Sequence, residues 1–259
     1  MAAIAPPLRL RRGANRWCRD YVTMLRWHMA SLRVWLPLLI VLEVAAGVGF
    51  IFGISLFFKQ IPTSSVLYAA TGAPVINLLA VGIALGPQVV ASQKIGGGYE
   101  FLRSTPVGHT TTAAAWYTVC LAGGVPAMVV TIFAAELRYD VALQISWMIV
   151  PAVLLTSLAG TMLGYSIAHA LESPMATILI TQVLAFAVFG FTPVVFPISQ
   201  MPTWLGTLNW WLPFRHMAVV MRAAMISGTH PGLATAYGML ALWSLLCGGL
   251  ALRALGRRG

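Results

Sequence analysis

The sequence predicts an all-α membrane protein with six transmembrane helices, on three observations. Of its 259 residues, 59% are hydrophobic and only 8% are charged, whereas a typical soluble domain is about a quarter charged. The apolar residues fall in six runs of bilayer length: 34–58, 66–90, 112–135, 141–168, 175–195 and 233–252. Together these runs hold a single charge, Glu43. Roughly 20 apolar residues cross about 30 Å of hydrocarbon at 1.5 Å per residue, so each run is long enough. With a mean hydropathy of +0.84, a soluble enzyme, a secreted domain and a disordered tail are all excluded.

Residues 1–33 form a cytoplasmic amphipathic segment ahead of a single transmembrane domain, 34–259. On a helical wheel Trp17, Tyr21, Met24, Leu25, His28, Met29 and Leu32 share one face, with Arg16, Arg19, Arg26 and Arg33 opposite. Such a helix lies in a membrane interface. No cleavable leader is expected, because the first apolar run is far longer than the apolar core of a signal peptide. The basic residues set the orientation. Arg9, Arg11, Arg12 and the four wheel arginines precede the first span, Lys94 and Arg103 follow the second, and Arg253, Arg257 and Arg258 follow the sixth. The other side holds only Lys59, Arg138, Arg215 and Arg222. This asymmetry places both termini in the cytoplasm. Attraction to an anionic leaflet accounts for the net charge of +10, and nucleic acid is not expected as a partner.

Glu43 in the first span and Asn77 in the second are candidate cavity residues. An ionisable group in hydrocarbon costs roughly 2.5–3.5 kcal/mol on insertion scales and turns toward protein or a cavity. Packing within the bundle is the plainer role for both; contact with a cationic or polar substrate is the functional one. Gly82 with Gly86 and Gly160 with Gly164 have the spacing of close helix packing.

Between the second and third spans the chain reads Gly96-Gly97-Gly98-Tyr99-Glu100-Phe101-Leu102-Arg103-Ser104-Thr105-Pro106-Val107. Consecutive glycines end a helix leaving the bilayer. Residues 99–104 can then make a short surface helix that Pro106 stops. No phosphate-binding GxxxxGK[ST] pattern is present.

Residues 196–228 between the fifth and sixth spans are too apolar for a hydrated loop. Pro202 and Pro213 suit helix starts and Gly228 a helix end. Two short helices in a re-entrant outer hairpin are predicted, with Trp204, Trp210 and Trp211 in an interfacial belt. Arg215 and Arg222, seven residues apart, lie nearly on one helix face. They either snorkel to outer headgroups, tie the hairpin to the bundle or meet an anionic headgroup.

The two connecting segments resemble those of type-two ABC exporter permeases. The first is similar to that family's Gly-x-x-Glu-x-Leu-x-x-Thr-Pro-Val pattern through Gly97, Glu100, Leu102, Thr105, Pro106 and Val107. The second is similar through Phe196, Pro197, Pro202, Leu205, Pro213 and Arg222. The resemblance implies a permease subunit that forms the pathway for a drug, lipid or glycan-type substrate in a bacterial plasma membrane, multidrug efflux being one such role. It implies two cytoplasmic ABC ATPase subunits as partners, and a second permease copy or a homologous permease. No cofactor is then expected on this chain; ATP and Mg belong to the ATPase. The ATPase-coupling residues would be Gly97, Tyr99, Glu100, Phe101, Leu102, Arg103, Thr105 and Pro106, with Tyr99, Phe101 and Leu102 as outward anchors. Pro197, Pro202, Trp204, Pro213, Arg215 and Arg222 would form the outer hairpin or gate.

Other chemistry has little support. No Ser/His or paired-carboxylate spacing suggests catalysis, and Cys18, Cys120 and Cys247 make neither a disulfide framework nor a metal site. The alternative is an intramembrane enzyme or haem-handling protein, for which His216 and His230 are the available outward histidines.

Overall fold

The computed structural model describes residues 13–57, 62–141, 143–228 and 231–256; the side chains of Phe57, Thr63, Ser64 and Arg103 also lie outside the description. Arg9, Arg11, Arg12, Lys59, His230, Arg257 and Arg258 lie outside the described residues. The chain is all-helical, with no strand among those residues. Helix α1 (Ala14–Ser31) is followed by α2 (Trp35–Phe57), α3 (Thr63–Ala80), α4 (Gly86–Ile95), α5 (Gly98–Ser104) and α6 (His109–Tyr139). Then come α7 (Ile149–Ala170), α8 (Pro174–Phe191), α9 (Thr203–Trp211), α10 (Pro213–Met225) and α11 (Leu233–Gly256).

Six helical stretches are long and apolar enough to cross a bilayer: Trp35–Leu56, Ser65–Ile95, His109–Tyr139, Ile149–Ala170, Pro174–Phe191 and Leu233–Gly256. Several boundaries differ from the sequence reading. The second span runs through Pro87 and continues past residue 90 to Ile95, with the polar Ser92, Gln93 and Lys94 in its last turn. Proline has no N–H for the preceding turn, and the helix absorbs this as one widened π turn, Val81–Leu85. The fourth span begins at Ile149 rather than 141. Ahead of it, the N–H groups of Gln144 and Ser146 donate to the Met225 and Ala224 carbonyls, both at 2.9 Å, at the end of α10. The fifth span stops at Phe191, since Thr192 precedes Pro193 and is held extended (φ −114°, ψ 150°).

The spans with the most buried residues are α3–α4, α6 and α7, while α2 and α8 leave most of their apolar surface uncovered. Small residues allow the closest approach. A Cβ on Gly164 would collide with the Gly82 carbonyl, and one on Gly82 would come within 2.7 Å of the Thr161 backbone nitrogen. The glycines on α7 therefore seat it directly on the π turn. The main core also contains Phe214, Met217, Val220, Met221, Ala224 and Met225 of α10, so α10 is an interior element rather than a surface loop.

Helix α1 docks on α6. Met24 and His28 of α1 and Leu32 just past its end are buried and Arg19, Arg26 and Arg33 exposed, but Trp17 and Met29 of the wheel's apolar face are exposed too. The Tyr21 and Thr118 hydroxyls share a 2.7 Å hydrogen bond, and His28 sits edge-on to Trp116 with ring centres 5.1 Å apart.

Candidate functional site

The first segment is built around one backbone reversal. The Gly96 N–H donates to the Ser92 carbonyl at 2.9 Å, closing α4. Gly97 then takes φ +74°, a left-handed conformation in which a side chain is strained. The next seven residues form α5, with Glu100 in the first turn, where the helix dipole favours an anion. At its far end the Thr105 hydroxyl and N–H both reach the Leu102 carbonyl, at 2.6 and 3.2 Å. The Pro106 carbonyl accepts from the Arg16 guanidinium at 3.1 Å, which ties this connection to α1.

Packing decides which α5 side chains face outward. Tyr99 does not: it is 6% exposed, its hydroxyl is hydrogen-bonded to His169 Nδ1 at 2.9 Å, and the two rings stack. Lys94 Nζ donates to the Ala168 and Leu171 carbonyls at 2.6 and 2.7 Å, satisfying the carboxyl end of α7, and lies 5.2 Å from the centre of the Tyr99 ring. Tyr99 is thus an internal tether between α5 and α7, not the outward anchor expected from sequence. A helix this short has to bury one side, and its largest side chain fills that role. Phe101 is the large apolar group turned out, 62% exposed, beside exposed Glu100. Leu102 is only partly exposed and faces a small cavity also lined by His28, Trp116 and His169. Burial there pushes the His28 imidazole down to about 4.

The second segment lies at the opposite end of the bundle. Pro193–Val195 is non-helical yet buried, and it presses so closely on α3 that a Cβ on Gly72 would strike the Val194 carbonyl. Its carbonyls are satisfied from two sides. Arg222 donates to the Pro193 carbonyl at 3.2 Å and to that of Val194. Tyr68 also donates to Pro193, at 3.4 Å, while the guanidinium stacks 3.4 Å above its ring. Burial lowers the Arg222 pKa to about 10, which leaves it charged at neutral pH. Of the three roles open to Arg222, it fills that of a tie to the bundle; Arg215 is only partly exposed.

Pro202 stands just ahead of α9 and Pro213 opens α10. Pro197 leads into a single 3₁₀ turn, Ile198–Gln200. Asn209, 1% exposed, donates to the Phe191 carbonyl at 2.8 Å, and Trp243 Nε1 donates to that of Trp211 at 2.9 Å. Trp204 and Trp211 are exposed. His216 does not face outward: it is buried and its Nε2–H donates to the Trp210 carbonyl at 2.8 Å. Burial also lowers its pKa, and the haem reading loses one of its two histidines. Among the described residues no three His, Cys, Asp or Glu side chains group to hold a metal.

Sequence reasoning missed Tyr68, Lys94, His169 and Asn209. None belongs to a local motif, and each bonds to a partner at least 18 residues away in sequence. Glu43 and Asn77, by contrast, do come together, on adjacent helices facing one cavity.

The chain is a bundle with six helices long and apolar enough to cross a membrane and structured connections between them. The sequence model of the ABC-2 family transporter protein matches residues 52–253. The chain belongs to this ABC-2 transporter family and is a multi-pass membrane protein. No curated protein matches the chain.

Proposed function

We propose that this chain is the permease subunit of an ATP-driven exporter, with α5 as the helix on which a separate cytoplasmic ATPase docks. The observation that carries this is the tether: a short helix outside the spans, Phe101 turned outward, fastened to α7 through Tyr99, His169 and Lys94. A push on α5 would reach α7, which packs along α11. The chain has a bundle to reshape but no phosphate-binding motif of its own. Two ATPase subunits would supply ATP and Mg, and a second permease copy would complete the pathway, covering some of the apolar surface that α2 and α8 leave open. The basic asymmetry supports a bacterial plasma-membrane protein with both termini and α1 on the cytoplasmic side. The burial of α10 and of residues 193–195 supports a re-entrant outer hairpin. Substrates of the drug, lipid or glycan type fit this class.

The test is co-expression with a candidate ABC ATPase subunit from the same genome. ATPase should co-purify with the wild-type chain, and substituting Phe101 by Ala or Glu100 by Lys should reduce its recovery at equal membrane levels of permease. Equal recovery with both variants would mean that α5 is only a connector.

A further inference from the structure

The face of α8 that the bundle leaves open carries one residue that lipid does not suit. Met175, Leu179, Gln182, Phe186 and Phe189 recur at alternating spacings of four and three, so they share one stripe of the helix. All five are exposed, Met175 at 65% and Phe186 at 69%. Thr177, Thr181 and Val188, on the other side of α8, are buried, so the packing of the bundle fixes which way the stripe points. Four of its members are apolar and rest well against hydrocarbon. Gln182 is not. It lies midway along Pro174–Phe191, about 12 Å of helix from either end at 1.5 Å per residue, too deep for a side chain of its length to reach water. Its amide makes no hydrogen bond to a described residue. Other polar residues inside the spans, Asn77, Thr156 and Thr161 among them, are buried, and Glu43 is half-buried. Among the described residues Gln182 is the one polar side chain exposed at the middle of a span.

We propose that Gln182 is the centre of a contact between the α8 helices of two copies of this chain. Polar side chains within hydrocarbon hydrogen-bond across helices, and a glutamine amide carries both donors and an acceptor. Two glutamines at the same depth therefore satisfy each other reciprocally. A two-fold axis along the membrane normal produces that arrangement, because it brings the same patch of both copies together with residue 182 at one level. The alternating spacing of the stripe is that of a helix–helix seam, in which a single polar position fixes register and partner number. A different permease would need its own amide at this depth, whereas a second copy brings one by identity. The inference rests on the exporter reading only for setting two permeases side by side. It makes the second one a copy of this chain and names the residue that aligns the pair.

The experiment uses the full-length chain, expressed without other permeases or an ATPase in a heterologous host. In a background with Cys18, Cys120 and Cys247 replaced, single cysteines are placed at Leu179 and Phe186 in the stripe. The controls are Ile180, 45% exposed on another side of α8, and Leu245, 76% exposed on α11. Oxidation in the membrane should give a disulfide-linked dimer at 179 and 186 several times more abundant than at 180 and 245. All four sites are exposed, so the substitutions leave the packed core intact. Energy transfer between fluorescent fusions, followed as vesicles are diluted with lipid, then measures the dissociation constant. Gln182→Leu should raise it about 3- to 20-fold, the range of one membrane hydrogen bond, and Gln182→Asn, which keeps the amide, should raise it less. The leucine variant is the more apolar, so failure to insert does not explain a loss. Equal linking at all four positions, or a maximum at 180, would overturn the proposal. So would an unchanged dissociation constant in Gln182→Leu, or a chain that stays monomeric when expressed by itself. Because no ATPase takes part, such a failure leaves the ATPase test standing, and failure of that test leaves this one standing.

Discussion

Replacing Arg222 by Met probes how the irregular segment after α8 is held. Met keeps the length and apolar body of the side chain and removes its donors. The wild-type guanidinium donates to two carbonyls and stacks on Tyr68. Hydrogen bonds from a charged group contribute about 1.5–3 kcal/mol each, and a desolvated cation–π contact about 2 kcal/mol. The desolvation of the guanidinium, several kcal/mol, offsets much of this. In the variant Pro193 can still accept from Tyr68, but the fully buried Val194 loses its Arg222 donor. The net loss is therefore about 2–4 kcal/mol. For a chain of this size it corresponds to a drop of about 5–12 °C in Tm, read at a single scan rate because membrane proteins often unfold irreversibly. Protease susceptibility should rise at residues 192–202 and not at 97–107. Arg222→Lys, which keeps the charge but not the fork that reaches two carbonyls, should fall between. A variant with wild-type Tm and an unchanged proteolysis pattern would refute this account of residues 193–195.

Gly164→Ala should lower Tm and yield by the cost of overpacking, about 1–3 kcal/mol or more, since its methyl would meet the Gly82 carbonyl; Gly190→Ala, with open space at its Cβ, is the control on the same thermal scan. Tyr99→Phe keeps the ring but removes its bond to His169. It should cost about 1 kcal/mol of stability while uncoupling ATP hydrolysis from export more than it weakens ATPase recovery, as measured in reconstituted vesicles. His28 carries a pH signature. Its pKa is about 4 in the fold against the ordinary 6.5, so below 6.5 the undocked state binds the extra proton. Stability is complete above pH 6.5 and falls as pH drops from 6.5 toward 4, by about 2 kcal/mol at pH 5. Melting curves at pH 7 and 5 should show this loss in the wild type and less of it in His28→Leu. His109 and His169 line the same cavity, so the quantity to compare is the difference between the two proteins. Identical pH dependence would remove His28 as its source.

Several elements can be read in the sequence because their causes are local. Bilayer-length apolar runs make spans whatever surrounds them, since backbone polar groups in hydrocarbon must pair within the helix. The reversal at Gly96–Gly97 and the stop at Pro106 follow from what glycine permits and proline forbids. The buried stripe of α1 follows from a 3.6-residue period. Tertiary packing decided the rest. Whether residues 143–148 would be helix or a strap paired to α10 depended on Ala224 and Met225 arriving beside them. Tyr99 and Phe101 read alike in sequence, two aromatics in a surface helix, yet His169 takes one inward and leaves the other outward. Arg222 could have met water, lipid or protein, and the buried carbonyls of Pro193 and Val194, outside any helix, settled it. Glu43 and Asn77 are isolated polar residues on separate spans until Gly47 lets the helices close around one cavity. Composition and local sterics determined where helices form and end; the helix-to-helix contacts determined which side chains remain free to act.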